Sequence, residues 1–162
     1  MAKNYTGANR FRSLFLPNNN LDIDFQIINK QIVDINILGN SLGTIEVSSQ
    51  NNLLYYAGGS GTRIYDDFSV IFIIDEEWIV LKEILKWMDL IENPENALQN
   101  PQLTTEFMIE FLSNKMNNQF SVIYEKVFPY AMDGISLSSR VDGKQKLELS
   151  ITFKALKFSL KE

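Results

Sequence analysis

The sequence contains no cysteine and no histidine. The first absence excludes disulfides and thiolate metal sites. The second removes the commonest general base, the commonest neutral metal ligand and every Ser–His or Cys–His nucleophile pair. We therefore expect no catalytic residues, no metal site and no cofactor, and we expect that the protein is not an enzyme.

Long apolar runs are absent as well. No stretch approaches the roughly 18 apolar residues that a membrane-spanning helix needs. A secretory signal requires a hydrophobic stretch near the N-terminus, and Asn18, Asn19 and Asn20 interrupt any such stretch. These absences predict a protein that is made and kept in a cytoplasm, without a membrane partner.

Positive charge is scarcer than negative charge, with 15 Lys and Arg against 20 Asp and Glu and a net charge of −5. Nucleic acid is bound mainly through Lys and Arg, so this balance opposes nonspecific binding. The composition is 45% hydrophobic and 12% aromatic over 162 residues, which is enough for one sizeable core. We expect a single domain over residues 1–162.

The clearest order of elements lies between Leu53 and Ile91. A glycine-rich loop precedes an apolar run at Phe68 to Ile74, which is typical of a buried strand. An acidic turn and an amphipathic helix over about residues 77–91 follow, and carboxylates at a helix start cap its free amides. Apolar side chains on this helix recur at three- and four-residue steps, so we expect one packing face. That face consists of Trp78, Leu81, Leu85 and Met88, and Ile84 and Ile91 widen it.

Alternating patterns predict further strands. Two at the start form a predicted hairpin: Leu21 to Gln26 and Ile32 to Leu38. The others are Ile45 to Val47, Thr105 to Leu112, Gln119 to Val127, Ile135 to Val141 and Leu147 to Leu160, the last with a bulge at Ala155–Leu156. Asp142–Gly143 predicts a tight turn. The fold class is therefore mainly β (α+β): an antiparallel barrel or sandwich with one packed helix and an extended β-hairpin or loop.

Two short motifs invite a chemical interpretation. The run Gly58 to Gly61 lacks the lysine of a phosphate-binding loop and leads into a strand, so a turn is favoured. Asp66 and Asp67 are neighbours, and neighbouring strand residues point to opposite faces, so a shared cation is disfavoured. We expect both motifs to serve as turns.

Assembly with other copies has two sequence indications. The strands around residues 107 and 123 carry apolar residues on both faces, which predicts either complete burial or a partner. The polar loop Ser48 to Gly61 contains four consecutive large side chains, which predicts a contact with another copy unless they fold back on their own chain. The candidate contacts between rings or subunits are Leu53, Leu54, Tyr55, Tyr56, Phe107, Ile109, Phe111 and Ile123.

The segment Ala57 to Val70, with its acidic turn and the following helix containing Trp87, resembles the tail tube proteins of contractile-tailed bacteriophages. Leu42 to Val47 resembles the loop into that segment, and Val127–Phe128–Pro129 resembles the family's closing section. The resemblance covers roughly Leu38 to Phe158. The family is related to secretion-system tube proteins.

The resemblance implies a β-barrel with one packed helix and a structural virion protein. It implies homohexameric rings stacked into a tube whose lumen conducts double-stranded DNA during ejection, without specific binding. Implied partners are further copies, the sheath, the baseplate and the tail terminator. The implied location is the virion tail, with the host cytoplasm during assembly.

Three alternatives stay open. The chain could be a baseplate tube-initiating subunit of the same fold, a small β-barrel that binds an apolar ligand, or an enzyme built on carboxylates. Self-assembly needs no catalytic residue, so it agrees best with a chain that lacks histidine. A barrel filled by Phe, Ile and Leu leaves little room for a ligand.

Overall fold

The computed structural model describes residues 10–37, 39–42, 44–49, 52–57, 63–93, 95, 103–113, 115, 117–139 and 146–161. Within residues 40–41, 44–49, 52–57 and 118–119 the description extends to the backbone alone. The described part of the chain has eleven strands and two helices. In chain order they are β1 Phe11–Phe15, α1 Phe25–Lys30, β2 Ile32–Asn36, β3 Asn40–Leu42, β4 Thr44–Ser49, β5 Asn52–Ala57, β6 Arg63–Tyr65, β7 Phe68–Ile73, α2 Ile79–Glu92, β8 Thr105–Leu112, β9 Asn118–Met132, β10 Glu148–Lys154 and β11 Lys157–Lys161.

Seven strands form the main sheet, in the order β1-β8-β9-β10-β7-β2, with β11 also paired to β9. All its pairings are antiparallel. The sheet does not close on itself, because β1 and β2 end it without pairing to each other. The mainly β prediction is confirmed, and the predicted barrel or sandwich fits loosely, because the seven-stranded sheet is not closed.

The long strand β9 joins the two halves of the sheet. Its first part pairs with β8 and β11, and its last part pairs with β10. Lys126 has a φ of 54°, in the left-handed region, and the register against β8 shifts there. A bulge of this kind increases the local bend of a strand.

An aromatic cluster fills the concave side of the sheet. Phe15, from the edge strand, packs against Phe107 with ring centroids 4.5 Å apart and against Phe153 at 5.0 Å. Phe68 stacks on Tyr124 at 4.5 Å, which connects the two halves across the core. Fully burying one such ring contributes about 1.5 to 3 kcal/mol, so each ring of this cluster stabilises the fold substantially.

Helix α2 covers this core, and the face that it buries is centred on Ile84 instead of on the predicted Leu81 and Leu85. Its buried residues are Val80, Ile84 and Trp87, and the Trp87 indole donates to the Leu103 carbonyl at 2.7 Å. Trp78, Leu81 and Met88 lie partly buried at the margin of this face.

Leu85 was assigned wrongly, since its side chain is 40% exposed. The predicted residues Leu81, Leu85 and Met88 and the buried residues Val80, Ile84 and Trp87 both recur at three- and four-residue steps. Periodicity alone therefore could not show which set faces the core. The large Trp87 ring, which fills the space beside Phe25 at 5.4 Å, decided the rotation of the helix. The predicted acidic cap is only partly borne out: the N-cap is Trp78, which makes no side-chain cap hydrogen bond, and the first turn has no acidic residue. Of the three predicted carboxylates, that of Asp75 accepts from the Ile79 amide at 3.1 Å.

The predicted strand at Leu21 to Gln26 is wrong, and so is its hairpin with β2. The Asp24 carboxylate accepts from the amides of Gln26 and Ile27 at 3.1 and 3.2 Å and starts helix α1. Phe25 and Ile28 are buried on this helix. Their spacing fits a helix, while the alternation before them fits a strand. The cap resolved the competition in favour of the helix.

The described residues between β2 and β7 form two further antiparallel strand pairs, here called the ribbon: β3 with β6 and β4 with β5. Asn36 pairs with Ser69 in the sheet, and Asn40 pairs with Tyr65 beyond it in the same register. Beyond β3, strand β4 pairs with β5 in a register shifted by four residues. The predicted strand at Ile45 to Val47 is therefore confirmed within β4. The prediction that Ser48 to Gly61 is a loop is wrong for the residues in β4 and β5, and Gly58 to Gly61 lies outside the described residues.

The C-terminal predictions had mixed outcomes. The strands at β8, β9 and β10 are confirmed. Residues 135–139 are not in a strand, contrary to prediction, and the turn at Asp142–Gly143 lies outside the described residues. The irregularity at Ala155–Leu156 separates β10 from β11, and both pair with the same edge of β9.

Candidate assembly surfaces

The hairpin β4–β5 forms a two-stranded sheet separate from the main sheet. Its register places Ile45 opposite Tyr56 and Val47 opposite Leu54. Residues directly opposite in an antiparallel pair share a face, so this face of the hairpin is occupied by four apolar residues. The other face pairs Leu53 with Ser48 and Tyr55 with Glu46 and is mixed. At about 3.3 Å per residue, the six-residue strands span roughly 20 Å.

Three of the predicted contact residues are covered within their own chain. Phe107 and Ile109 have 0% and 1% of their surface exposed and belong to the core, and Ile123 is 5% exposed on the opposite face. None of these three side chains has surface left for a neighbouring subunit, so their assignment as contacts is corrected. The two apolar faces that the sequence predicted are present, and burial inside the chain explains them.

Phe111 keeps part of its surface. It stacks on Phe120 with ring centroids 4.7 Å apart, at the end of the sheet near the β8–β9 connection. Leu160, on β11, is 64% exposed and pairs in register with Val122, two residues from Phe120. These three residues form an exposed apolar patch that the sequence did not single out as a unit.

The face of β2, β7 and β10 that lies opposite the core is here called the outer face. In register, Asp34 and Ser150 flank Ile71, and Glu148 lies beside Ile73. Asp34 and Glu148 are exposed, and Ile71 is half-buried. The outer face therefore carries two carboxylates, hydroxyl groups, the half-buried Ile71 and Ile73, and one cation, Lys154.

Two open cavities of about 690 and 660 Å³ flank the segment Pro17 to Asn20. Asn18 donates from its side-chain amide to the Thr104 carbonyl at 2.7 Å, so this segment is tied to the start of β8. Both cavities are lined largely by polar residues, and Phe25 of the core lines the second. They do not resemble the enclosed apolar chamber of a ligand-binding barrel.

The acidic residues of the described ranges are the candidate metal ligands, because the chain has no histidine or cysteine. No group of three or more Asp or Glu there could hold a metal ion. Asp66 is exposed, and its amide donates to the Gly39 carbonyl at 3.2 Å as part of the ribbon. Burial raises the pKa of Tyr124 to about 12, which disfavours this phenol as a proton-transferring group near neutral pH. Neither helix of the described chain is long and apolar enough to cross a bilayer.

The fold of this chain is similar to that of chains in solved structures of contractile injection systems. The tube-terminating cap of the anti-feeding prophage has a TM-score of 0.67 at 14% identity, covering 99% of this chain and 94% of that chain. The sheath-tube complex of an extracellular contractile injection system (PVC) in its extended state gives 0.64 at 13%, covering 97% and 91%. The sheath/tube terminator of the same kind of system gives 0.65 at 13%, covering 100% of both chains.

The family model "phage tail tube protein" matches residues 32–160. The chain belongs to the phage tail tube protein family, and it is a structural subunit of a tube. The resemblance noted in the sequence is confirmed. No curated protein sequence matches the chain.

Proposed function

We propose that this chain, acting as one domain over residues 1–162, assembles into hexameric rings that stack into a tail tube, and that the tube lumen conducts double-stranded DNA during ejection. The observation that carries the proposal is the family match over residues 32–160. The likeness to a chain of a sheath-tube complex over 97% of this chain supports it.

The outer face lines the lumen in this proposal. Its exposed Asp34 and Glu148 give it negative charge, and like charge keeps DNA from binding to the wall. Ile71 and Ile73 lie between them on β7 and are half-buried. DNA then passes without specific binding.

Helix α2 lies on the opposite side of the subunit and faces away from the lumen. Its exposed residues are Lys82, Leu85, Lys86, Asp89 and Glu92. A charged helix face of this kind suits a contact that must form and release, because exposed ion pairs are individually weak. We assign this side to the sheath, while the ends of the tube contact the baseplate and the terminator. The tube resides in the virion tail and assembles in the host cytoplasm.

The hairpin β4–β5 supplies the contact between rings. It has a face of four apolar residues, and apolar residues on a hairpin separate from the main sheet need a partner to bury them. Leu53, Leu54, Tyr55 and Tyr56 therefore remain candidate contacts, now as parts of strand β5. Phe111 also remains a candidate, within the exposed patch with Phe120 and Leu160.

Electron microscopy of the purified protein at rising concentration tests the proposal. We expect six-fold rings and tubes of variable length. Particles that stay monomeric at high concentration would contradict the proposal and would favour the ligand-binding alternative.

A ring that caps or initiates a tube is the second candidate function. The likeness to a tube-terminating cap, with a TM-score of 0.67, favours it specifically. A capping or initiating subunit is expected to form single or double rings without elongation, so the same micrographs separate it from a tube-body subunit.

A further inference from the structure

The free edge of β1 is partly closed by a side chain. Leu16 donates to the Glu106 carbonyl at 2.8 Å, and the Arg10 carbonyl accepts from Leu112 at 3.0 Å. Backbone groups alternate in direction along a strand, so the even-numbered residues of β1 bond to β8. The amides and carbonyls of Phe11, Ser13 and Phe15 therefore point away from the sheet.

Asn29, on helix α1, occupies one of these three positions. The Phe15 amide donates to Asn29 Oδ1 at 2.6 Å, and Asn29 Nδ2 donates to the Phe15 carbonyl at 2.9 Å. A side-chain amide offers one acceptor and donors, as a peptide group does. It therefore replaces the pair of hydrogen bonds that a neighbouring strand would make. Helix α1 is held in place by the Asp24 cap, so this closure is preorganised.

Phe11 and Ser13 carry the same outward groups without a partner among the described residues. An edge of this kind adds further strands unless proline, charge or a bulge prevents it. Strand β1 has no proline, and its single charge, on Arg12, faces Glu110 at 3.5 Å. The edge is thus open over Phe11 and Ser13 and closed at Phe15.

We propose that a strand of a second copy of this chain adds to β1 along Phe11 and Ser13, and that Asn29 sets the register of this addition by blocking Phe15. The inference rests on the proposed function, because a tube brings many copies of the chain together. Asn29 is a positioning residue in this account. It does not pair with the added strand, but it occupies the Phe15 backbone groups, so pairing of the added strand must end at Ser13.

Hydrogen exchange of the unaltered protein tests the open edge directly. We expect the Phe15 amide to be protected both in isolated subunits and in assembled particles. The amides of Phe11 and Ser13 should exchange at least about tenfold more slowly in assembled particles than in subunits. Equal exchange of these two amides in both states would overturn the inference.

Substitutions provide the second test. Ser13→Pro removes an amide hydrogen that points away from β8, so the internal ladder stays intact, and proline is tolerated on edge strands. We expect this variant to keep its circular dichroism spectrum and to lose ring formation by sedimentation and microscopy. Ser13→Ala, the matched control, should assemble normally. Rings formed by a folded Ser13→Pro variant would overturn the inference, and if that variant fails to fold, the exchange measurement decides.

Asn29→Leu keeps the branched shape of the side chain, removes both hydrogen bonds to Phe15 and so opens this position. In this variant the Phe15 amide should exchange rapidly in isolated subunits and become protected from hydrogen exchange in assembled particles. The distribution of particle sizes should also become broader. An unchanged size distribution with Phe15 still protected in subunits would exclude the register role. If the unaltered protein and Ser13→Ala both fail to assemble, the proposed function fails, and this outcome is distinct from a failure of the edge inference.

Discussion

Ile84 and Leu85 are adjacent on helix α2, yet their surroundings differ completely. Ile84 is fully buried, whereas Leu85 is 40% exposed. Ile84→Ala should lower the free energy of unfolding by about 2 to 5 kcal/mol, because it removes buried methyl groups and leaves a cavity. Leu85→Ala, the control, should cost well under half as much, since surface substitutions usually stay within about 0.5 kcal/mol. A denaturant titration measures both, and equal losses would show that the helix is rotated from the face described.

The burial of Tyr124 predicts that the stability of the fold depends on pH. Burial raises the pKa of Tyr124 to about 12, from an ordinary value of about 10 in the unfolded chain. Between these values the unfolded chain has released the proton and the folded chain has not, so the unfolded chain binds fewer protons. Stability should therefore fall as the pH rises from about 10 to 12, and this group should have no effect below that window.

Tyr124→Phe isolates this contribution from the other groups that titrate at high pH. The thermal midpoint of the variant should fall less between pH 9 and pH 12 than that of the unaltered protein. This range covers the pH values at which the unfolded chain loses the Tyr124 proton while the folded chain, with its pKa of about 12, still holds it. Parallel curves for the two proteins would contradict the assignment.

At the scale of elements, the hairpin β4–β5 has two faces of unequal character, and its contacts can be tested face by face. Leu54 and Tyr56 share the face with Ile45 and Val47. Replacing Leu54 and Tyr56 together by Ser should leave a soluble, folded protein that forms rings but no long tubes, because the apolar contact between rings is lost.

Replacing Leu53 and Tyr55 by Ser is the matched control, since it changes the same residue types in the same strand on the mixed face. Tubes of this control should be longer than those of the first variant. Unchanged tube length in the first variant would remove the hairpin from the ring contact. Loss of its circular dichroism signal would show instead that the residues pack on their own chain.

At the scale of the whole molecule, the net charge of −5 has a proposed place, the lumen. Asp34 and Glu148 are exposed on the outer face. Assembled tubes should not retain double-stranded DNA at physiological ionic strength, because like charges repel within about 8 Å at that salt concentration. Replacing both residues by Lys should leave assembly intact and cause tubes to retain DNA in a co-sedimentation assay.

The double Gln variant controls for loss of negative charge without added positive charge, and its retention should be intermediate. Tubes that retain no DNA with either variant, or an inner surface that proves net positive, would exclude repulsion at the outer face.

Local patterns in the sequence were sufficient for several elements. The alternation of Leu149, Ile151 and Phe153 predicted β10, and the apolar run from Phe68 predicted β7. Such signals succeed because residues two apart in a strand share a face whatever the strand pairs with. The motif from Ala57 to Val70 also indicated the family, which the family match confirms.

Tertiary structure decided what local patterns leave degenerate. Residues 21–28 fit either period, and the Asp24 cap together with burial of Phe25 and Ile28 selected a helix. Two stripes on α2 have equal spacing, and the space that Trp87 fills selected one of them. The partner of each strand was also undetermined, because pairing depends on contacts far apart in the chain. The closed position at Phe15 depends on such a contact, since Asn29 lies on a helix that the sequence did not predict.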